Sequence, residues 1–358
     1  MLGAALALLA SGAGPAGADN SCSTLATEPL PFPGPATVPA LPSAMEAPDQ
    51  GSKVEVDGSG FSYRYLVNGQ AEVIQGMGYN PRYSGLGLDE RAALYQRDFG
   101  TMAAAGVNTV FGWDPREFDE LTLDAAARQG LGVSLPYDVD FQLDYADPAV
   151  RAGVRADVLA WVSRYRWHPA LRVWAIGNET LHKLVPPSWC PAGPTAAQQA
   201  AALAFTRFYA DLIDAVHALD PNHPVVYRAA EDSYVEWMRA ALAPGGARPW
   251  FVYGLNVYTP RLAQVLDAWA DHRFDVALLL SEFGPPPEGR PDGYRHYWAT
   301  VRAHPKLVLG GAVYVWFADG PEGIDRVYGL VGSEDQPVDG SLETIRRIFR
   351  QEHEANWQ

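Results

Sequence analysis

The strongest constraint on the fold is a rhythm. Between residues 73 and 353, short apolar runs of strand length alternate eight times with longer amphipathic stretches. That pattern implies parallel strands joined by crossover helices. Strands are predicted at 73–78, 107–113, 132–137, 171–176, 225–229, 251–257, 276–281 and 309–317. The clearest helices are at 89–105, 119–129, 148–167, 197–219, 293–303 and 342–353, with Pro148 at a first-turn position that tolerates proline. Eight such units match a closed (β/α)8 TIM barrel better than a doubly wound sheet, which usually has fewer.

Ahead of the barrel, VEVDGSGFSYRYLVNG alternates and turns at Asp57-Gly58 and Asn68-Gly69, which predicts a hairpin. Residues 28–50 hold seven prolines and little periodicity, so they read as an extended tether. The apolar stretch 2–10 and the Ala16-Gly17-Ala18 pattern ahead of Asp19 resemble an export signal. The expected layout is a signal peptide at 1–18, a Pro-rich segment at 19–53 and one catalytic domain at 54–358. Elsewhere no 18 consecutive apolar residues occur, so stable membrane insertion is not expected after signal removal. The expected location is secreted or periplasmic. There Cys22 and Cys190, the two cysteines of the chain, could form a disulfide.

Composition narrows the partner. The 358 residues carry 42 acidic and 27 basic side chains, a net charge of −15, which is the wrong sign for neutralising phosphates. Nucleic acid is excluded on that ground. GxSxG, P-loop and HExxH motifs are absent, as is a GxGxxG leading from a strand to a helix. Asp138, Asp140, Asp144 and Asp147 lack the glycine and terminal Glu of a calcium loop, and no metal or cofactor is expected.

A barrel of this type places its site on the loops that follow the strands. Strand four ends in WAIGNE, which puts Asn178 and Glu179 at the rim, and strand seven ends in LLLSEFG, which puts Glu282 there. On opposite sides of the ring, these carboxylates should face one another across the mouth. Two opposed carboxylates are what glycoside hydrolysis requires: one holds a proton for the leaving oxygen while the other stays ionised to meet the anomeric carbon. In this geometry Asn178 can bond a sugar hydroxyl, Tyr258 can donate to Glu282, and Trp316 offers a ring to a pyranose face. Asp138 is a further candidate for sugar hydroxyls. Trp113, Tyr137, Trp189, Tyr234, Trp237 and Phe317 are candidate subsite aromatics.

The segments WAIGNE, LNVY, SEFG and GGAVYVWF, in this strand order, resemble the retaining glycoside hydrolases of clan A, especially the catalytic barrel of glycoside hydrolase family 2 and its relatives in family 5. YLVNGQAEVIQGMGYNP, which contains Asn80, resembles the clan's opening hairpin and first strand, and YGLVGSEDQPVDG resembles the family 2 stretch after strand eight. The resemblance implies a β-linked carbohydrate substrate, Glu179 as acid/base and Glu282 as nucleophile. Asn80 is carried over as a substrate-binding candidate. Where many members carry an arginine at the end of strand two, this chain has Phe111-Gly112-Trp113, and Arg228 at the end of strand five could substitute. The expectation is a retaining β-glycoside hydrolase, with two alternatives: a transglycosylase using the same glutamates, or a non-catalytic carbohydrate-binding barrel.

Overall fold

The computed structural model describes residues 51–83, 85–188 and 190–355. The expected signal, most of the Pro-rich segment, Cys22 and Trp189 fall outside these residues. Three strands, β1 (Val54–Ser59), β2 (Ser62–Val67) and β3 (Gln70–Glu72), form an antiparallel sheet. The β2–β3 turn has positive φ at both Asn68 and Gly69, which Asn-Gly accommodates at low cost.

Eight parallel strands then close a barrel in chain order: β4 (Ile74–Gly78), β5 (Thr109–Phe111), β6 (Gly132–Tyr137), β7 (Leu171–Asn178), β8 (Val225–Ala230), β9 (Phe251–Val257), β10 (Ala277–Phe283) and β11 (Val308–Val313). The main helices on the outside are α1 (Leu88–Ala104), α2 (Glu120–Arg128), α3 (Pro148–Tyr165), α4 (Thr180–Leu184), α5 (Ala196–Leu219), α6 (Val235–Leu242), α7 (Leu262–Asp267), α8 (Asp292–Ala303), α9 (Asp325–Tyr328) and α10 (Ser341–Ala355). Caps fix several starts: Asp119 accepts from two amides of α2, and Thr195 with Gln198 closes a capping box on α5. No described helix is long and apolar enough to cross a membrane.

Two strands are shorter than their apolar runs predict. The second stops at Phe111 because the Phe118 ring lies where a side chain at 112 would begin, 2.2 Å from such a Cβ, so the chain passes at Gly112. The eighth stops at Val313, and the amides of Tyr314 and Trp316 then bond to Phe283 and Gly78 on the two sides. The expected opposition of strands four and seven also needs correcting. β7 and β10 are three places apart in the ring, with β8 and β9 between them.

The interior and the hairpin form one apolar unit. Val54, Val56, Tyr63, Tyr65 and Val67 pack with Ile74, Val173, Val226, Val252 and Leu279. Alternate hairpin residues therefore face the amino-terminal end of the barrel and plug it, and each buried Val stabilises by about 1.5–3 kcal/mol. Asp275 ties the plug down by accepting from the amides of Gly60 and Phe61 and from the Tyr63 hydroxyl. The opposite end remains open for chemistry.

Candidate active site

The two glutamates reach that open end through breaks in strand register. In β10, the inward positions Ala277, Leu279 and Ser281 are followed by an irregularity against β9 between Leu279 and Glu282. β7 has its own between Ala175 and Asn178. Such irregularities re-aim the side chains that follow them, and here each precedes a carboxylate. Gly177 has φ 81° and Glu179 itself φ 51°. For a non-glycine residue the left-handed region costs about 1–3 kcal/mol, and such strain collects where function fixes a side chain.

Glu282 is 1% exposed. The Trp113 indole N–H donates to its Oε1 at 2.5 Å, and the Tyr258 hydroxyl donates to its Oε2 at 2.7 Å. Arg228, buried at the end of β8, adds a positive charge below, although its Nη1 donates to the Gly112 carbonyl at 2.6 Å. Burial, then the nearby charge of Glu179, pushes the Glu282 carboxyl up to about 7, against the pull of Tyr258, Arg228 and Trp113. The donors gathered on Glu282 favour its anion.

Glu179 is 9% exposed. Asn256, on β9, donates from Nδ2 to Glu179 Oε1 at 3.0 Å and to Asn178 Oδ1 at 3.2 Å. Its Oδ1 accepts from the Ser281 hydroxyl at 2.7 Å, which fixes the amide's orientation. Beside Glu179, His182 meets the Tyr234 hydroxyl at 2.7 Å, and burial lowers the imidazole's affinity for a proton. Asn256 and Ser281 were not singled out from sequence, nor was the pairing of His182 with the candidate aromatic Tyr234. Asn256 and Ser281 lie inside LNVY and LSEF, where inward alternation was the available signal.

Other candidates are placed as follows. Asp138, at the end of β6, is half-buried with Oδ1 unpartnered, and burial raises its carboxyl despite the nearby charges of Lys183 and Arg228. Asp140, Asp144 and Asp147 each accept from a backbone amide two residues on. Asn80 uses both ends of its side chain on the Phe317 backbone, at 2.9 Å each, and so braces the first loop. Trp316, expected as a stacking platform, is 2% exposed and belongs to the core around the barrel, because the early end of β11 turns it inward. Tyr314, 1% exposed, lies edge-on to Trp113 at 5.1 Å. Tyr137 packs on Trp161, Trp237 packs against the core, and Tyr234 and Phe317 are buried. Cys190 is 6% exposed, and its expected partner Cys22 lies outside the described residues.

Comparison with solved structures agrees with this architecture. A GH2 β-galacturonidase from Eisenbergiella tayi matches at 15% identity with a TM-score of 0.60, covering 84% of this chain and 54% of that one. The fold is shared with GH2 glycosidase barrels. A Bacteroides uniformis β-glucuronidase matches at 15% identity and TM-score 0.65 over 83% of this chain and 37% of that one. A Bifidobacterium dentium β-glucuronidase matches at 20% identity and TM-score 0.61 over 84% and 49%. The chain thus spans about half or less of the length of these proteins. No family model matches the sequence, and no curated protein matches it.

Proposed function

We propose that this chain is a retaining β-glycoside hydrolase, exported and acting on a β-linked glycan. The observation that carries the reading is the asymmetry of the pair: Glu282 is gripped at both oxygens by donors, whereas Glu179 accepts one amide at Oε1. An acceptor saturated with donors is held as an anion, ready to attack. Glu282 attacks the anomeric carbon as protonated Glu179 gives its proton to the leaving oxygen, producing a glycosyl ester. Glu179, now a base, takes a proton from water, which displaces Glu282 and restores both groups. A sugar acceptor in place of water would make the same cycle a transglycosylation.

The sugar itself is read from charge. The three solved relatives are named for uronide substrates. Binding a uronate requires an available cation close to the pair. Here Arg228 is fully buried, Arg261 faces Glu231 at 3.5 Å, and Lys183, the remaining nearby cation, donates to the Asn178 carbonyl at 3.5 Å beside the Asp138 carboxyl. Asp138, Glu117 and Glu231 are further acidic side chains on the segments that follow β6, β5 and β8. A neutral sugar suits this setting better than a uronate. Product analysis on neutral aryl β-glycosides, β-linked oligosaccharides and a β-glucuronide tests both points: turnover is expected on a neutral substrate. Turnover confined to the glucuronide and lost in Lys183→Ala overturns the neutral-sugar reading, and no turnover on any β-glycoside overturns the enzyme reading.

A further inference from the structure

We propose, resting on the role given to Glu282 above, that Trp113 is the positioning residue of the nucleophile, and that the attacking carboxylate is held by two neutral donors without a salt bridge. The indole is built into this place. A Cβ at Gly78 would lie 2.4 Å from Trp113 Cη2, so the ring lies on the bare backbone at the exit of β4. On its other side Tyr314 meets it edge-on, with an interplanar angle of 76°. Tyr314 is fixed in turn by its hydroxyl, which donates to Asp325 at 2.9 Å. A ring wedged between backbone and a tethered tyrosine has one orientation, and in that orientation Nε1 addresses Glu282 Oε1.

The choice of a neutral donor has a chemical consequence. As Glu282 becomes an ester, it loses its negative charge. A cation bonded to it would then be left buried without its counter-ion, a ground-state preference that raises the barrier to attack. An indole N–H or a phenol loses far less. Among the described residues no salt bridge reaches Glu282, and the Arg228 guanidinium donates to the Gly112 and Gly177 carbonyls at 2.6 and 3.5 Å. The groups facing Glu282 are therefore Trp113 from the β5 exit, Glu179 from β7, Arg228 from β8, Tyr258 from the β9 exit and Tyr314 from the β11 exit. Glu179 and Arg228 are the charged ones, and Trp113 sets which way the carboxylate plane turns between them.

The test uses the full chain and two variants. Trp113→Phe keeps a ring over Gly78 and removes the N–H, whereas Gly78→Ala keeps the indole and displaces it. Attack is read as the rate at which a 2-deoxy-2-fluoro-β-glycoside with a good leaving group adds one fluorosugar to Glu282, followed by intact mass. Both variants should be slower by about ten- to a hundredfold, the loss expected for one hydrogen bond to a charged group. The acid limb of the pH–rate profile should also move to higher pH, because the Glu282 anion has lost a donor. Thermal melting confirms folding, and a purely structural role would lower the rate equally at all pH values. Unchanged rates and an unmoved acid limb in a folded Trp113→Phe overturn the inference while leaving Glu282 the nucleophile. Failure of the wild-type chain both to label and to turn over any β-glycoside overturns the glycosidase reading itself, and the inference with it.

Discussion

The side-chain amide of Asn256 donates to Glu179 Oε1 at 3.0 Å from a strand two places away in the barrel, spanning β8 to do so. Because Ser281 holds the amide's oxygen, the amide cannot rotate freely. It leaves one carboxyl oxygen of Glu179 to carry the proton. Asn256→Ala should lower kcat/KM by about ten- to a hundredfold, and Ser281→Ala by a smaller factor in the same sense. Steady-state kinetics on an activated aryl glycoside and on an alkyl glycoside measures this, and the alkyl substrate should suffer more.

Removing the carboxylates should separate their roles. Glu282→Ala should abolish turnover of every substrate. Glu179→Ala should slow glycosides of poor leaving groups by about a hundredfold or more and spare the first step with activated aryl leaving groups, since those depart without a proton. Equal losses on both substrate types would contradict the acid/base assignment.

Stereochemistry is a separate check. Retaining enzymes hold their carboxyls only about 5 to 5.5 Å apart, whereas inverting ones leave room for a water at about 6.5 Å or more. Two glutamates three strands apart in the ring suit the shorter separation. Proton NMR of the first-formed sugar should show the β-anomer before mutarotation, and an initial α-anomer refutes the double displacement.

The pair should also set the pH range. Attack requires the Glu282 anion, and burial pushes that carboxyl up to about 7. The kcat/KM profile should therefore climb as pH rises toward about 7. A profile flat from about pH 6 to about pH 9 would disprove this dependence.

Stability should follow a related sign. Burial raises both Glu117 and Glu231 to about 7 from an ordinary 4.5. The folded chain then binds more protons than the unfolded one between those values, so this contribution is present at low pH and lost as pH rises through about 7. Melting temperature should decline over that interval, and Glu231→Gln should flatten the decline.

Parts of this arrangement were legible in the sequence for identifiable reasons. Glu179 and Glu282 each close an apolar run, and strand direction alone carries such residues to one end of a barrel. Tyr258 sits two residues beyond an inward Asn256, so its reach toward Glu282 follows from the same parity. Trp316 escaped that logic because β11 leaves the ladder at Val313, after which alternation no longer says which way a side chain turns. Asn80 has the right polarity and the right end of the barrel, yet the Phe317 backbone takes both its donor and its acceptor. Ser281 and Asn256 matter through one another, and pairing across strands depends on register that no single segment displays.

The hairpin plug gives the molecule a blunt end and a working end. The β2–β3 turn at Asn68-Gly69 belongs to the sheet that covers the barrel's amino-terminal side. A linker introduced at that turn would fasten the protein to a bead or an electrode with its mouth facing the surrounding solution. The ends of β7 and β10, with Glu179 and Glu282, would then point away from the support.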